Sequence, residues 1–285
     1  MDATLIAVAA LWGVATGLLV PRAAYRFSVE PDEDWRDACP AGHPLTGPAR
    51  GWLGSTRCAS CAVAVPSLPG PMAHEGADAG AAAPEPEHQP EAAPLPAPEP
   101  APAASRYAPA VLPPVVTVLA CTALAAATGA RPELVVWLLL TPVAVLLAVI
   151  DRRVHRLPDR LTLPLAGAAA LLLGTVSLAP EHTGSWASAL LGGLTLGGFY
   201  FLLFLINPNG MGFGDVKLAL SLGVALGWYG WAVLFAGGFA GFLLGAVYGL
   251  GLMLMRRAGR KTGIPFGPFM IAGALLGVLF GALAA

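Results

Sequence analysis

Seven stretches of the chain are apolar over most of their length, near residues 3–20, 110–129, 133–150, 161–179, 185–206, 231–255 and 264–284. At about 1.5 Å per residue, runs of this length match the roughly 30 Å of hydrocarbon in a bilayer. An eighth, 216–228, is shorter. Charged residues make up only 12% of the chain and hydrophobic ones 56%, whereas soluble domains carry about 25% charged residues. The expected fold is an all-α polytopic membrane protein with about eight transmembrane helices. The first run, "ATLIAVAALWGVATGLLV", is preceded only by "MD", and its nearest cations, Arg22 and Arg26, follow it. A secretion signal has the opposite order, so this run is read as a retained first helix with its N-terminus outside.

With a net charge of −1, the position of the cations says more than their number. Nothing here suggests a nucleic-acid partner. Alternating eight spans from an external N-terminus gathers residues 21–109, 151–160, 207–215 and 256–262 on one side. Together with Lys217, these segments hold 15 of the 16 Lys and Arg residues, and only Arg131 falls opposite. By the positive-inside bias that side is the cytoplasm. Omitting the short span would place "RRAGRK" outside, so the charge pattern supports counting it.

Four regions are expected. Residues 1–20 form the first helix, and residues 21–70 a small cytoplasmic insertion too poor in large apolar residues to fold unaided. Residues 71–106, typified by "AAAPEPEHQPEAAPLPAPEPAPAAS", read as an extended, solvated Ala/Pro/Glu linker. Residues 107–285 form a seven-helix membrane block, in which lipid is the surrounding partner.

That block contains only five acidic side chains: Glu133, Asp151, Asp159, Glu181 and Asp215. The topology leaves Glu133 and Glu181 in or beside outer loops and the three aspartates on the cytoplasmic side. Asp151 closes an apolar helix, and Asp159 in "LPDRLTLP" reads plainly as a helix N-cap. Asp215 in "NPNGMGFGDVK" follows Gly210, Gly212 and Gly214. A simple cap has no need of them, whereas a backbone that bends and lies against a neighbouring chain does. Lys217, two residues on, would keep Asp215 ionised. Two aspartates brought together can share one proton, so that one acts as base on a water and the other polarises a carbonyl. That is the chemistry of peptide hydrolysis. A transporter with carboxylates at helix breaks is the competing class, and no inverted repeat supports it.

At "AVIDRRVHRLPDRLTLP", "GMGFGDVKLALSLGVALGW" and "GIPFGPFMIAG" the chain resembles the type IV prepilin peptidases, membrane aspartic proteases of the GxGD type. The resemblance implies an enzyme of the bacterial cytoplasmic membrane, with its active site facing the cytoplasm. Its partners would be prepilin or pseudopilin precursors, cleaved at the leader before their hydrophobic helix. Asp215 and Asp151 match the catalytic pair. Asp159 matches a further aspartate, with Gly212, Gly214 and Lys217 as accessory residues. Gly263, Pro265, Phe266, Gly267 and Pro268 would shape the substrate groove. Family members often also methylate the new N-terminus with S-adenosylmethionine, an activity associated with the N-terminal region. Here "TGLLVPRAAYRF" replaces the usual Ser-Phe-Leu-Asn, so the resemblance carries methylation less far than proteolysis.

Members of this family often carry two C-x-x-C pairs in the first cytoplasmic loop. Here Cys58 and Cys61 form one pair, and the other site keeps Cys39 with His43 four residues on. The resulting C-x3-H-x14-C-x2-C pattern suits a structural zinc in a small, zinc-ribbon-like insertion. A disulfide does not suit a reducing compartment. Cys121 reads as a packing residue within an apolar helix.

Overall fold

The computed structural model describes residues 3–30, 33–63, 106–108, 111–208, 210–255 and 265–285. Most of the expected linker, together with Gly263, lies outside the described residues. The order is α1 (Ala3–Gly17), α2 (Val20–Phe27), the single turns α3 (Pro48–Gly51) and α4 (Ala59–Val63), then α5 (Leu112–Thr128), α6 (Glu133–Val154), α7 (Asp159–Val176), α8 (Trp186–Ile206), α9 (Phe213–Trp228), α10 (Trp231–Leu254) and α11 (Gly267–Ala284). Among the described residues, six stretches are long and apolar enough to cross a membrane: Ala3–Phe27, α6, α7, α8, α10 and α11. The other two of the eight expected spans, α5 and α9, are shorter.

The bundle turns apolar side chains outward. On α10, Phe235, Phe239, Leu243 and Val247 recur every four residues and are all exposed, forming a stripe along one face. In water such a stripe would be a liability; in a bilayer it is the solvated surface. A multi-pass membrane protein accounts for it.

Short α9 is the centre of the bundle. Of its sixteen residues, eleven are buried, with α7, α8, α10 and α11 packed around it. Surrounded by protein, it has no need of the length that lipid contact imposes. The α8–α9 seam is made of glycines: a Cβ on Gly192 would stand 2.7 Å from the Gly223 carbonyl oxygen, and one on Gly227 2.6 Å from that of Ser188. Small residues thus let the backbones touch, and dispersion contacts replace the hydrophobic drive that lipid removes.

The insertion is tied to the membrane part by arginines. After a break at Leu18–Leu19 the first helix resumes as α2, whose Arg22 and Arg26 are both buried. Arg22 Nη2 donates to the Thr46 carbonyl (2.6 Å) and Arg26 Nη1 to that of Arg50 (3.1 Å). Arg26 also lies over the Trp52 ring at 4.2 Å, and Arg160 at the start of α7 over Trp35 at 5.1 Å. These contacts seat the insertion beside the N-terminus of α7.

Candidate active site and metal centre

Asp151 stands in the last turn of α6. The helix stops four residues later, where His155 takes the left-handed conformation (φ 50°) and its N–H donates to the Asp151 carbonyl at 2.8 Å. This is the usual geometry of a helix C-terminus, with a histidine where glycine is commoner. The Asp151 side chain, 4% exposed, turns inward. Its Oδ2 accepts the backbone N–H of Gly267 at 2.9 Å, at the first turn of α11, where unpaired donors and the helix dipole favour a carboxylate. A Cβ on residue 267 would lie 2.8 Å from that oxygen. Glycine is required for the contact.

Asp215 lies in the first turn of α9, buried, its N–H on the Gly212 carbonyl (3.0 Å). Gly214 explains part of the glycine pattern: a Cβ there would meet the Leu157 side chain at 2.9 Å and its backbone at 3.4 Å. The loop between α6 and α7 thus rests on the start of α9. At Gly212 a Cβ would meet the Asp215 carboxylate at 3.7 Å and the Gly214 backbone nitrogen at 3.9 Å, both ordinary contacts.

The two carboxylates share one end of the bundle, where the loop that follows α6 rests on Gly214 beside Asp215 and the start of α11 bonds Asp151. Helices α7 and α11 pack on both α6 and α9 and join them. Tyr200 of α8 is 1% exposed. Its ring stacks on Phe242 (5.3 Å) and approaches Phe266 (6.2 Å), one residue before Gly267. Pro265 and Phe266 are half-buried beside this site. Tyr200 was not foreseen; its signal was a lone phenol in the apolar run "GGFYFLLF".

Two expectations are corrected. Lys217 pairs with Asp159 (Nζ–Oδ1 2.6 Å) and not with Asp215, because two residues along a helix turn its side chain away from the Asp215 face. Asp159 is not the N-cap expected of it, and Asp215, which the glycines argued against as a simple cap, is not one either. Pro158 and Gly212 hold those positions, with no side-chain cap at either.

In the insertion, Cys39, His43, Cys58 and Cys61 present one ligand atom each, all within 4.8 Å of one another. The separations are 3.8 Å for Cys39–Cys61, 3.6 Å for Cys39–His43, 3.3 Å for His43–Cys61 and 3.7 Å for Cys58–His43. A tetrahedron with zinc–sulfur bonds of about 2.3 Å and a zinc–nitrogen bond of about 2.0 Å has edges of roughly 3.5–3.8 Å. The residues fit such an ion, with His43 offering Nδ1. The cysteines are free of disulfides. Two isolated bridges, Ala38–Pro44 and Arg57–Arg106, are the β pairing among the described residues. The N–H of Cys61 helps hold the Cys58 thiol down at about 7, favouring the thiolate that a metal requires, while burial pushes Cys61 up to about 11.

Fold and site together define a polytopic helical membrane protein with two buried aspartates at one end of its bundle. Residues 138–254 match the profile of the type IV leader peptidase family. Among its relatives is the prepilin leader peptidase/N-methyltransferase of Aeromonas salmonicida, 38% identical over 148 residues, which are 50% of this chain and 48% of the relative. That of Pseudomonas putida is 34% identical over 161 residues (54% and 52%), and that of Bacillus subtilis 33% over 142 (48% and 52%). The chain spans about half the length of the curated relatives it matches. No solved structure matches it. These similarities give no support to the transporter reading.

Proposed function

We propose that the chain is a membrane aspartic endopeptidase that removes the leader of prepilin-like or pseudopilin precursors at the cytoplasmic face of the bacterial inner membrane. The observation that carries this reading is the placement of Asp151 and Asp215, both buried, at one end of the bundle, with the Gly267 N–H on Asp151. A shared proton makes one carboxylate a base toward water and the other an acid toward the scissile carbonyl. The bond cleaved is an amide: the water oxygen adds to its carbon, and the proton passes to the leaving amine. Asp159, exposed and paired with Lys217, stands outside this exchange. The Cys39, His43, Cys58 and Cys61 set holds a structural zinc in support of the insertion. "TGLLVPRAAYRF" stands where the family usually has Ser-Phe-Leu-Asn, so methyl transfer and S-adenosylmethionine form no part of this proposal.

The test is cleavage of a prepilin precursor in membranes at matched expression. Asp151→Asn and Asp215→Asn should each lower the rate by about a thousandfold or more, in the range of acid–base catalysis, and Asp159→Asn should retain activity. Cleavage that survives in Asp215→Asn would remove the peptidase assignment.

A further inference from the structure

Pro142 lies near the middle of α6, the 22-residue helix that carries Asp151 in its last turn. Proline has no N–H, so the Leu138 carbonyl, four residues earlier, loses its donor within the helix. Thr141 Oγ1 adds to the disturbance by donating to the Trp137 carbonyl at 2.7 Å, a back-bond that favours bending. Long helices change direction at such places. An unpaired carbonyl in hydrocarbon is also costly, and a neighbouring helix has to satisfy it. Here the donor is Trp12 of α1, whose Nε1 reaches the Leu138 oxygen at 2.7 Å. Pro164, inside α7, frees the carbonyl of Arg160, an exposed residue in the first turn of its helix, where water can take the donor's place.

Packing on α5 places α1 for this role. A Cβ on Gly13 would stand 2.8 Å from the Val118 Cα, and one on Gly17 2.8 Å from the Pro114 Cα, so the two backbones touch and the depth of α1 is set. Trp12, next to Gly13, then meets α6 at one level. Before Pro142, α6 is anchored twice. Glu133 Oε1 accepts the Thr183 hydroxyl (2.6 Å), and Trp137 Nε1 donates to the hydroxyl of Tyr229 (3.1 Å), the C-cap of α9. Beyond Pro142, Asp151 follows about 14 Å along the helix. A change of direction of about 4° at the proline would carry that carboxylate about 1 Å, and a misplacement of that size costs on the order of a hundredfold in rate.

We propose that Trp12 is a positioning residue for the peptidase: by holding the carbonyl that Pro142 frees, it fixes the direction of α6 beyond the proline and so the place of Asp151 relative to Asp215 and the Gly267 N–H. The proposal rests on the peptidase reading. It makes the first helix, which lies outside the residues matched by the family profile, part of the catalytic geometry and not only the mount of the insertion.

The experiment measures kcat and KM of the whole protein in lipid nanodiscs on a prepilin precursor. Two changes remove the donor: Trp12→Phe, and replacement of Trp12 by β-(3-benzothienyl)alanine, which keeps the shape of the indole and lacks its N–H. Both should lower kcat at least about tenfold, with KM within about twofold of wild type. Pro142→Ala restores the missing N–H, so in that background the same two changes should cost less than about twofold in kcat. A loss of the same size in both backgrounds would overturn the inference, because Trp12 would then act by packing. A rise in KM with kcat unchanged would overturn it too. Wild-type kcat with benzothienylalanine at position 12 does so whether or not Trp12→Phe and Pro142→Ala fold. Asp215→Asn, run alongside, separates the two readings. If it cleaves at the wild-type rate, the peptidase reading fails and this inference with it; unchanged kcat in the Trp12 variants beside an inactive Asp215→Asn overturns this inference alone.

Discussion

At the residue scale, the tightest constraint in the site falls on a residue with no side chain. Gly267 brings its N–H to 2.9 Å from Asp151 Oδ2, where an added methyl group would stand 2.8 Å from the same oxygen. Gly267→Ala should therefore push the carboxylate or the start of α11 aside. Displacements of about 1 Å at a reacting centre cost on the order of a hundredfold. Turnover should fall by about that factor while the detergent-solubilised protein melts near the wild-type temperature; activity within twofold of wild type would mean that the contact does not orient Asp151. The sequence marked residue 267 as part of "IPFGPF". It could not show that its amide meets a carboxylate 116 residues earlier in the chain.

At the scale of elements, the glycines of α8 and α9 decide how the central helix is held. Gly192→Leu or Gly227→Val would force apart backbones that now touch, at a cost of about 1–3 kcal/mol or more. The midpoint of thermal unfolding in detergent should drop in both. Gly198→Ala, where an added methyl group meets nothing within 4 Å, should leave it unchanged or slightly raised. A drop in all three alike would show that the loss is not specific to the seam. The length of α9 made it look the least certain span, yet this helix is the one most enclosed by protein. Length reports contact with lipid, and α9 has little.

At the scale of the whole molecule, an insertion without a large core is held by two devices, the Cys39–His43–Cys58–Cys61 cluster and the α2 arginines. Metal analysis of the purified protein should find a single zinc that Cys58→Ser abolishes. Because structural zinc contributes about 10–16 kcal/mol in small domains, chelation should expose residues 33–63 to protease while the membrane helices stay intact. An insertion equally resistant with and without metal would show that the arginines suffice. Arg22 and Arg26 stand four apart directly after an apolar run, so their shared face was visible in the sequence. Their partners were not, because backbone carbonyls of a loop leave no trace in side-chain pattern.

The sequence by itself determined the helical membrane class, the short list of carboxylates and the ligand spacing of the cluster. Each follows from local composition: apolar length against bilayer thickness, charge kept out of hydrocarbon, and side-chain types at fixed intervals. Only the tertiary structure decided that α7 and α11 join α6 to α9, that Lys217 belongs to Asp159, and that Tyr200 packs by Phe266 at the entrance to α11. These are relations between distant segments, set by how close neighbouring backbones can pack, and hydropathy does not encode a crossing point.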